Sequence, residues 1–145
     1  MLLHAAAGGV GTFAVQLAVA RGARVIATAS EHNIDRLRSL DAEPVAYGEG
    51  PVDRVRCISP HRVDAVLDAS GRSEISDSIE LAGGPKRVLS LVAFATVDGI
   101  QVHTTEPGAG SSEALADVVA LIGAGRLHIP VAGTHPWTKP RGHWR

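Results

Sequence analysis

The sequence predicts an α/β protein with a doubly wound, mostly parallel sheet between two layers of helices. Short apolar segments alternate along the chain with longer segments whose apolar residues have helical spacing. The connections between these segments are short, which favours right-handed crossovers and parallel strands. Only 3% of the residues are aromatic, and small or branched residues are abundant, as is typical of a sheet covered on both faces.

The expected elements follow one another as strand and helix with few exceptions. In chain order they are a strand at 1–5, a helix at 10–21, a strand at 23–29, a helix capped by Ser30 that carries Ile34, Leu37 and Leu40, a strand at 44–47, a helix at 52–58, a strand at 63–68, a helix at 73–81, strands at 87–93 and 100–103, a helix at 111–124 and a last short strand at 128–131.

The bulk properties limit the classes of protein that fit. The 145 residues suffice for one core, and a hydrophobic fraction of 45% is typical of a globular chain. The net charge of -1 argues against a nucleic-acid or anionic-membrane partner. Without a basic leader or an apolar run of bilayer length, the chain is expected to be cytoplasmic.

Metal and thiol chemistry find little support in the sequence. Cys57 is the single cysteine, which excludes an intrachain disulfide and a zinc site of several thiolates. Its place on an amphipathic segment predicts that it is packed rather than reactive. The seven histidines lack metal-ligand spacing, so we expect scattered surface or strand-end residues and no metal site.

A loop of small residues joins the first strand to the first helix. Ala6, Gly8 and Gly11 occupy the three small positions of the dinucleotide fingerprint of Rossmann folds, although the first of them is alanine. Gly8 would let the backbone approach a pyrophosphate, and Gly11 would let the helix pack against the strand. The helix would then offer unpaired N–H groups to the phosphates. A tight turn without a ligand is the alternative, whereas a Walker-type loop is excluded.

The residues after the second strand favour NADP(H) over NAD. NAD-specific sites place a carboxylate there, on the ribose 2′-hydroxyl, but this chain has Ser30 after the strand. A missing carboxylate removes repulsion against a 2′-phosphate, and His32, Asn33 and Arg36 lie nearby in sequence. The alternative is that Glu31 turns inward and accepts the hydroxyl, with Ser30 acting only as a helix cap.

Several segments together resemble a known family. HAAAGGVGTFAVQLAVARGARVIATAS (4–30), VDAVLDASG (63–71), RVLSLVAF (87–94) and GRLHIPV (125–131) are similar to the cofactor domain of medium-chain dehydrogenase/reductases. The similarity is to the NADP-dependent quinone oxidoreductase branch, also called zinc-type alcohol dehydrogenase-like, and covers residues 1–133. The family usually has a leucine-glycine-alanine turn where this chain has Leu40-Asp41-Ala42, so Asp41 is expected to strain that turn.

The resemblance implies cofactor contacts at matching positions, with no catalytic residue assigned. The pyrophosphate loop would be Ala7, Gly8, Gly9, Val10 and Gly11; the adenosine side would be Ser30 and Tyr47, the latter by a 2′-phosphate; the nicotinamide half would lie by Ser70, Gly71, Val92 and Phe94. A basic residue that some members use beside the 2′-phosphate falls near Ile34. Ordinary packing is the alternative for Tyr47 and Phe94, and a loop-capping carboxylate is the favoured role of Asp68.

The resemblance also bears on domain organisation. Complete members carry an N-terminal barrel-like domain that forms most of the substrate cleft, and we expect it to be absent here. Residues 134–145 predict an irregular basic tail, which suggests a truncated or frame-shifted product. The implied function is the cofactor domain of an NADP(H)-dependent oxidoreductase acting on a quinone, enone or other carbonyl or alcohol compound. A binding-only or inactive fragment is the alternative, and a homodimer through an edge strand is compatible with either.

Overall fold

Strands and helices alternate along the chain in the computed structural model, which describes residues 1–71, 75–92, 96–97, 100–101, 103–104, 110, 112–131 and 133–134. The strands are β1 (Leu2–His4), β2 (Ile26–Ala29), β3 (Glu43–Ala46), β4 (Val66–Asp68), β5 (Val88–Ser90), β6 (Thr96–Val97), β7 (Ile100–Gln101) and β8 (His103–Thr104). The helices are α1 (Gly9–Ala20), α2 (Ile34–Arg38), α3 (Pro51–Ile58), α4 (Ile75–Ala82) and α5 (Ser112–Gly123), with 3₁₀ turns at Glu31–Asn33 and Pro85–Arg87.

The main sheet has six strands in the order β3-β2-β1-β4-β5-β8. All five neighbouring pairs in it are parallel, while β6 and β7 form a separate antiparallel pair. The chain therefore builds outwards from β1 to β3, returns to the other side of β1 with β4, and continues outwards again. The predicted doubly wound parallel sheet is confirmed, and its strand order reverses next to β1, where such sheets open a crevice at their carboxyl edge.

Both faces of the sheet are buried, because successive strand residues point to opposite sides. Leu2 belongs to one apolar cluster and Leu3 to the other. Val55 and Leu81, from α3 and α4, cover the face of Leu2, and Val15 and Leu37, from α1 and α2, cover the face of Leu3. This arrangement explains the near-continuous apolar strands and confirms the three-layer architecture. Within the described ranges, none of the helices combines the length and apolar character that a membrane crossing requires.

The strand expected at 128–131 does not form. Gln16 of α1 holds this segment instead: its side-chain oxygen accepts from the backbone N–H of His128 at 2.7 Å, and its amide nitrogen donates to the His128 carbonyl at 2.9 Å. One side chain thus satisfies the two backbone groups that a neighbouring strand would have paired. Leu127 is buried beside this contact, which ties the segment after α5 to α1.

Two further expectations need correction. Cys57 is exposed on α3 rather than packed, because the helix directs Val55, with Val52 and Ile58 partly buried, towards the core. Ser30 does begin the turn after β2, but its hydroxyl makes no capping bond to a backbone N–H in the described part of the chain. It accepts instead from the side-chain amide of Asn33 at 3.0 Å.

The turn after α2 carries the strain expected from the sequence. Asp41 has a φ of 59°, in the left-handed region that favours glycine. The next N–H, that of Ala42, returns to the carbonyl of Leu37 at 3.2 Å and closes the helix end. A non-glycine residue therefore occupies a helix-terminating position that requires a positive φ.

Replacing Asp41 by glycine is expected to raise the free energy of unfolding by about 1 kcal/mol, since left-handed geometry costs an L-residue roughly 1–2 kcal/mol and glycine is more flexible when unfolded. Urea unfolding followed by circular dichroism measures the change. Gly22→Ala is the matched control, because Gly22 also has a positive φ, 79°, and should lose stability. No gain for Asp41→Gly would contradict the strain.

A buried histidine lies at the end of β1. His4 is 8% exposed, and its Nδ1 and Nε2 lie 3.0 Å from Thr28 Oγ1 and 3.1 Å from Ser78 Oγ. Burial lowers the pKa of His4 below its ordinary value, although Asp68 and Asp77 act in the opposite direction. The neutral imidazole is therefore favoured in the folded chain near neutral pH.

The free energy of unfolding should decrease as the pH is lowered, because His4 becomes protonated. Below about pH 6.5, the unfolded chain binds a proton that the folded chain resists, so the free energy of unfolding declines by up to about 1.4 kcal/mol per pH unit. Denaturant melts between pH 7.5 and 5.5, roughly one unit to either side of the ordinary histidine pKa, should show a shallower decline for His4→Gln than for the parent. The control variant is His61→Gln, at an exposed histidine. Equal slopes for all three proteins would contradict the assignment.

Candidate functional site

The residues singled out in the sequence lie in three groups along the carboxyl edge of the sheet. The central group joins β1 to α1, the second follows β2 and β3, and the third follows β4 and β5. The groups are, in that order, Ala7, Gly8, Gly9, Val10 and Gly11; Ser30 and Tyr47; and Ser70, Gly71 and Val92. Phe94 lies outside the described residues. Because the strand order is β3-β2-β1-β4-β5, the three groups form one line with the glycine loop in the middle.

The glycine loop is a tight reversal that packs α1 directly on the end of β1. Ala5 has a φ of 55°, and its carbonyl accepts from the N–H of Gly8 at 3.0 Å. A Cβ added to Gly11 would lie 2.1 Å from that same carbonyl oxygen and 2.7 Å from Ala6 Cα. Any side chain at Gly11 would therefore push the helix away from the strand, which confirms the close approach expected of this glycine.

The first turn of α1 presents backbone donors to an open space. The first hydrogen bond within the helix is donated by the N–H of Thr12, so the N–H groups of Gly9, Val10 and Gly11 come before it and lack an intrahelical acceptor. Gly8 has no side chain to cap them. Val10 is 60% exposed, and a Cβ on Gly9 would meet no described atom within 4 Å. The helix start also carries a partial positive charge. These N–H groups can donate hydrogen bonds to an anionic group at the start of the helix.

The second group is polar and sits at the ends of adjacent strands. Tyr47 donates its backbone N–H to the carbonyl of Ala29 at 2.9 Å, which holds it beside Ser30. The Asn33 side-chain amide lies 3.0 Å from Ser30 Oγ and 3.1 Å from His32 Nε2, so hydroxyl, amide and imidazole are gathered in one turn. The Tyr47 side chain is 53% exposed. This corner offers several hydrogen-bonding groups and an aromatic ring to a ligand.

The third group is organised by a buried carboxylate. Asp68 is 1% exposed; its Oδ1 accepts from the backbone N–H of Ser70 at 3.0 Å and from the Ser70 hydroxyl at 2.7 Å. Its Oδ2 accepts from Ser90 Oγ at 3.2 Å, which links the ends of β4 and β5. Gly71 has a φ of 61°, and its backbone lies against Val92. A Cβ added to Gly71 would lie 3.4 Å from Val92 Cγ2. Asp68 has the loop-capping role favoured by the sequence.

A cleft of about 690 Å³ opens between the ends of β1 to β4 and the helices α3 and α4. Its lining is His4, Ala5, Thr28, Val45, Ala46, Tyr47, Gly48, Pro51, Val55, Ala69, Ser70, Asp77 and Leu81. The cleft joins the second group to the start of the third and has a mostly apolar wall. Apolar walls with a few polar groups are typical of sites that bind small organic ligands.

The sequence analysis did not predict that His4 is buried and lines this cleft. It placed this residue correctly at a strand end, but grouped it with scattered histidines. The hydrogen-bonding partners of His4 are 24 and 74 residues away in the chain, on β2 and α4. The one available signal is its position after two consecutive leucines in a buried strand.

A zinc centre does not fit the side chains of the described residues. No group of three histidine, cysteine, aspartate or glutamate side chains is close enough to hold a metal there. The single thiol, that of Cys57, is exposed on α3, away from the carboxyl edge.

Comparison with known proteins yields relatives among oxidoreductases and polyketide synthases. The chain is 26% identical over 155 residues to a chloroplast envelope quinone oxidoreductase homolog of Arabidopsis thaliana, covering 99% of this chain and 47% of that protein. It is 32% identical over 150 residues to the pikromycin polyketide synthase component PikAII of Streptomyces venezuelae, covering 90% of this chain and 4% of the synthase.

Among solved structures, the Escherichia coli quinone oxidoreductase complexed with NADPH superposes with a TM-score of 0.70 at 26% identity. The match covers 90% of this chain and 47% of the enzyme, so the chain spans about half the length of the quinone oxidoreductases that it matches. The family model for zinc-binding dehydrogenases matches residues 9–96, which is more than half of the chain and includes the second and third groups and the part of the glycine loop from Gly9 onwards. The chain belongs to the zinc-binding dehydrogenase family.

Proposed function

We propose that this chain is the nicotinamide-cofactor-binding domain of an NADP(H)-dependent oxidoreductase that acts on a quinone, an enone or another carbonyl or alcohol compound. The observation that carries the proposal is the line formed by the three groups, with the glycine loop at its centre. Neighbouring strands are about 4.8 Å apart, so the four spacings from β3 to β5 amount to about 19 Å. An extended dinucleotide can reach both ends of this line, whereas a single phosphate or mononucleotide cannot.

The proposed orientation follows from the chemistry of each group. The pyrophosphate would lie on the N–H groups of Gly9, Val10 and Gly11, where the start of α1 favours negative charge. The adenosine half would occupy the cleft beside Ser30 and Tyr47, and the nicotinamide half would extend towards the ends of β4 and β5. The open space at Gly9 supports this orientation, since no side chain obstructs the approach.

The preference for NADP(H) is part of the proposal. Glu31, the residue that could have bound a ribose 2′-hydroxyl, is exposed in the first turn after β2. The groups that gather around Ser30 are a hydroxyl, an amide and an imidazole, none of which is an anion. A 2′-phosphate would therefore meet no buried carboxylate at this corner.

Nicotinamide dinucleotides supply the hydride, and the protein orients them. The described residues contribute position rather than acid–base catalysis. Asp68 holds the Ser70 backbone and hydroxyl, which fixes the loop that would lie under the nicotinamide half. Gly71 and Val92 pack together beside it. The groups that contact the substrate would come from a further domain, as the resemblance implies.

Other expectations from the sequence stay predictions. They are the division into a domain at 1–133 and a tail at 134–145, the cytoplasmic location, and the homodimer. Binding without turnover is the remaining alternative for the function. Absorbance at the nicotinamide band, followed with NADPH and a simple quinone, distinguishes the two, because turnover consumes NADPH and binding alone does not.

Placing a bulky side chain at Gly9 tests the cofactor site. Gly9→Val should weaken NADPH binding by about tenfold or more, because the branched side chain would stand over the donors at the start of α1. The fold should be retained, since a Cβ there meets no described atom within 4 Å. Isothermal titration calorimetry with NADPH gives the dissociation constants.

Gly123→Ala, at the last residue of α5, is the matched control for this titration. A Cβ on Gly123 also meets no described atom within 4 Å, and the residue ends α5, away from the glycine loop. Its affinity for NADPH should equal that of the parent. The proposed site would be overturned if Gly9→Val bound NADPH as tightly as the control.

A further inference from the structure

The guanidinium of Arg54 lies on the turn that follows β3, where Tyr47 and Gly48 line the cleft. Arg54 is on α3, and its side chain reaches back towards the start of that helix. Its Nη2 donates to the carbonyl of Gly48 at 2.7 Å. Gly48 directly follows Tyr47, which is held against the end of β2 by its hydrogen bond to Ala29. A positive charge therefore sits on the carbonyl of the residue that follows Tyr47.

The sequence at position 48 makes room for this charge. Gly48 has a φ of 139°, and a Cβ there would lie 3.3 Å from Arg54 Nη1 and 3.6 Å from Nη2. A larger residue would push the guanidinium off the turn. The combination of Gly48 and Arg54, six residues apart, thus places the cation on the turn that follows β3.

The hydrogen bonding of this guanidinium is incomplete. A guanidinium has five N–H donors, and Arg54 Nε is shielded from solvent without an acceptor among the described residues. The ion pairs within the described ranges involve other arginines, namely Arg21, Arg24, Arg38 and Arg56. Arg54 has no carboxylate partner there. Because Nε is shielded, an anionic ligand would reach this charge through the Nη groups, of which Nη2 already donates to Gly48 in an exposed position.

We propose that Arg54 recognises the 2′-phosphate of the adenosine ribose and so sets the preference for NADP(H) over NAD(H). This inference rests on the proposed function, because it needs a dinucleotide in the site. The planar guanidinium matches a phosphate with two parallel donors, and charge-assisted bonds of this kind are the strong ones. Position 34, near which some family members have a basic residue, is isoleucine here. Arg54 supplies the missing charge from the β3 side of the corner.

Arg54→Gln removes the charge and keeps much of the side-chain length. We expect it to weaken NADPH binding by about 10- to 100-fold and to change NADH binding by less than about twofold. The fragments 2′,5′-ADP and 5′-AMP isolate the same difference: binding of the first should weaken, and binding of the second should not. Arg56→Gln is the matched control, since Arg56 is on the same helix but pairs with Glu80.

The outcomes separate this inference from the proposed function. If the parent binds NADPH and Arg54→Gln binds it equally well, Arg54 has no part in recognition, while the dinucleotide site stands. An equal loss for NADPH and NADH also overturns the inference, because it indicates a packing role. A parent protein that binds neither nucleotide removes the proposed function and this inference together. Selective loss for NADPH and for 2′,5′-ADP, with Arg56→Gln unchanged, supports the role.

Discussion

The contact between Gly11 and the carbonyl of Ala5 is the constraint on which the rest of the site depends. It sets the distance between α1 and the end of β1, and the Gly11 Cα has no room for a side chain. Ala5 adopts a positive φ, which lets the chain reverse direction between β1 and α1. Because α1 then begins directly at the carboxyl edge, its first N–H groups face the line of strand ends instead of being buried under the loop.

The topology turns this local contact into an extended site. The two halves of the sheet meet at β1 and β4, so whatever binds at the start of α1 has strand ends on both sides. Each side is stabilised by a different device. Beyond β2 and β3 the backbone bond from Tyr47 to Ala29 joins the two turns, and beyond β4 and β5 the carboxylate of Asp68 does so. The edge is therefore held at three points by hydrogen bonds or close packing.

Much of the fold could be predicted from sequence, because its signals are local. Apolar periodicity located the main strands and helices, and the small residues between β1 and α1 located the loop. The expected strain at Asp41 also follows from one residue in a turn whose usual glycine is known. The resemblance placed Ser70, Gly71 and Val92 together, and the structure brings them to adjacent strand ends.

What could not be predicted depends on single side chains that meet across long separations. The segment at 128–131 resembles a strand, but Gln16, 112 residues away, satisfies its backbone through a side chain. Cys57 lies among apolar neighbours in sequence, yet the rotation of α3 exposes it. The place of Arg54 depends on the glycine six residues earlier, and periodicity carries no information about such a pair.

The most direct measurement is an NMR titration of the ¹⁵N-labelled chain with NADPH, followed through the backbone amide shifts. If the start of α1 holds the pyrophosphate, the largest shifts fall on the amides of Gly9, Val10 and Gly11, with smaller ones at Ser30 and Gly71. A folded sample whose spectrum does not respond at millimolar NADPH, or responds only away from the carboxyl edge, would contradict the site.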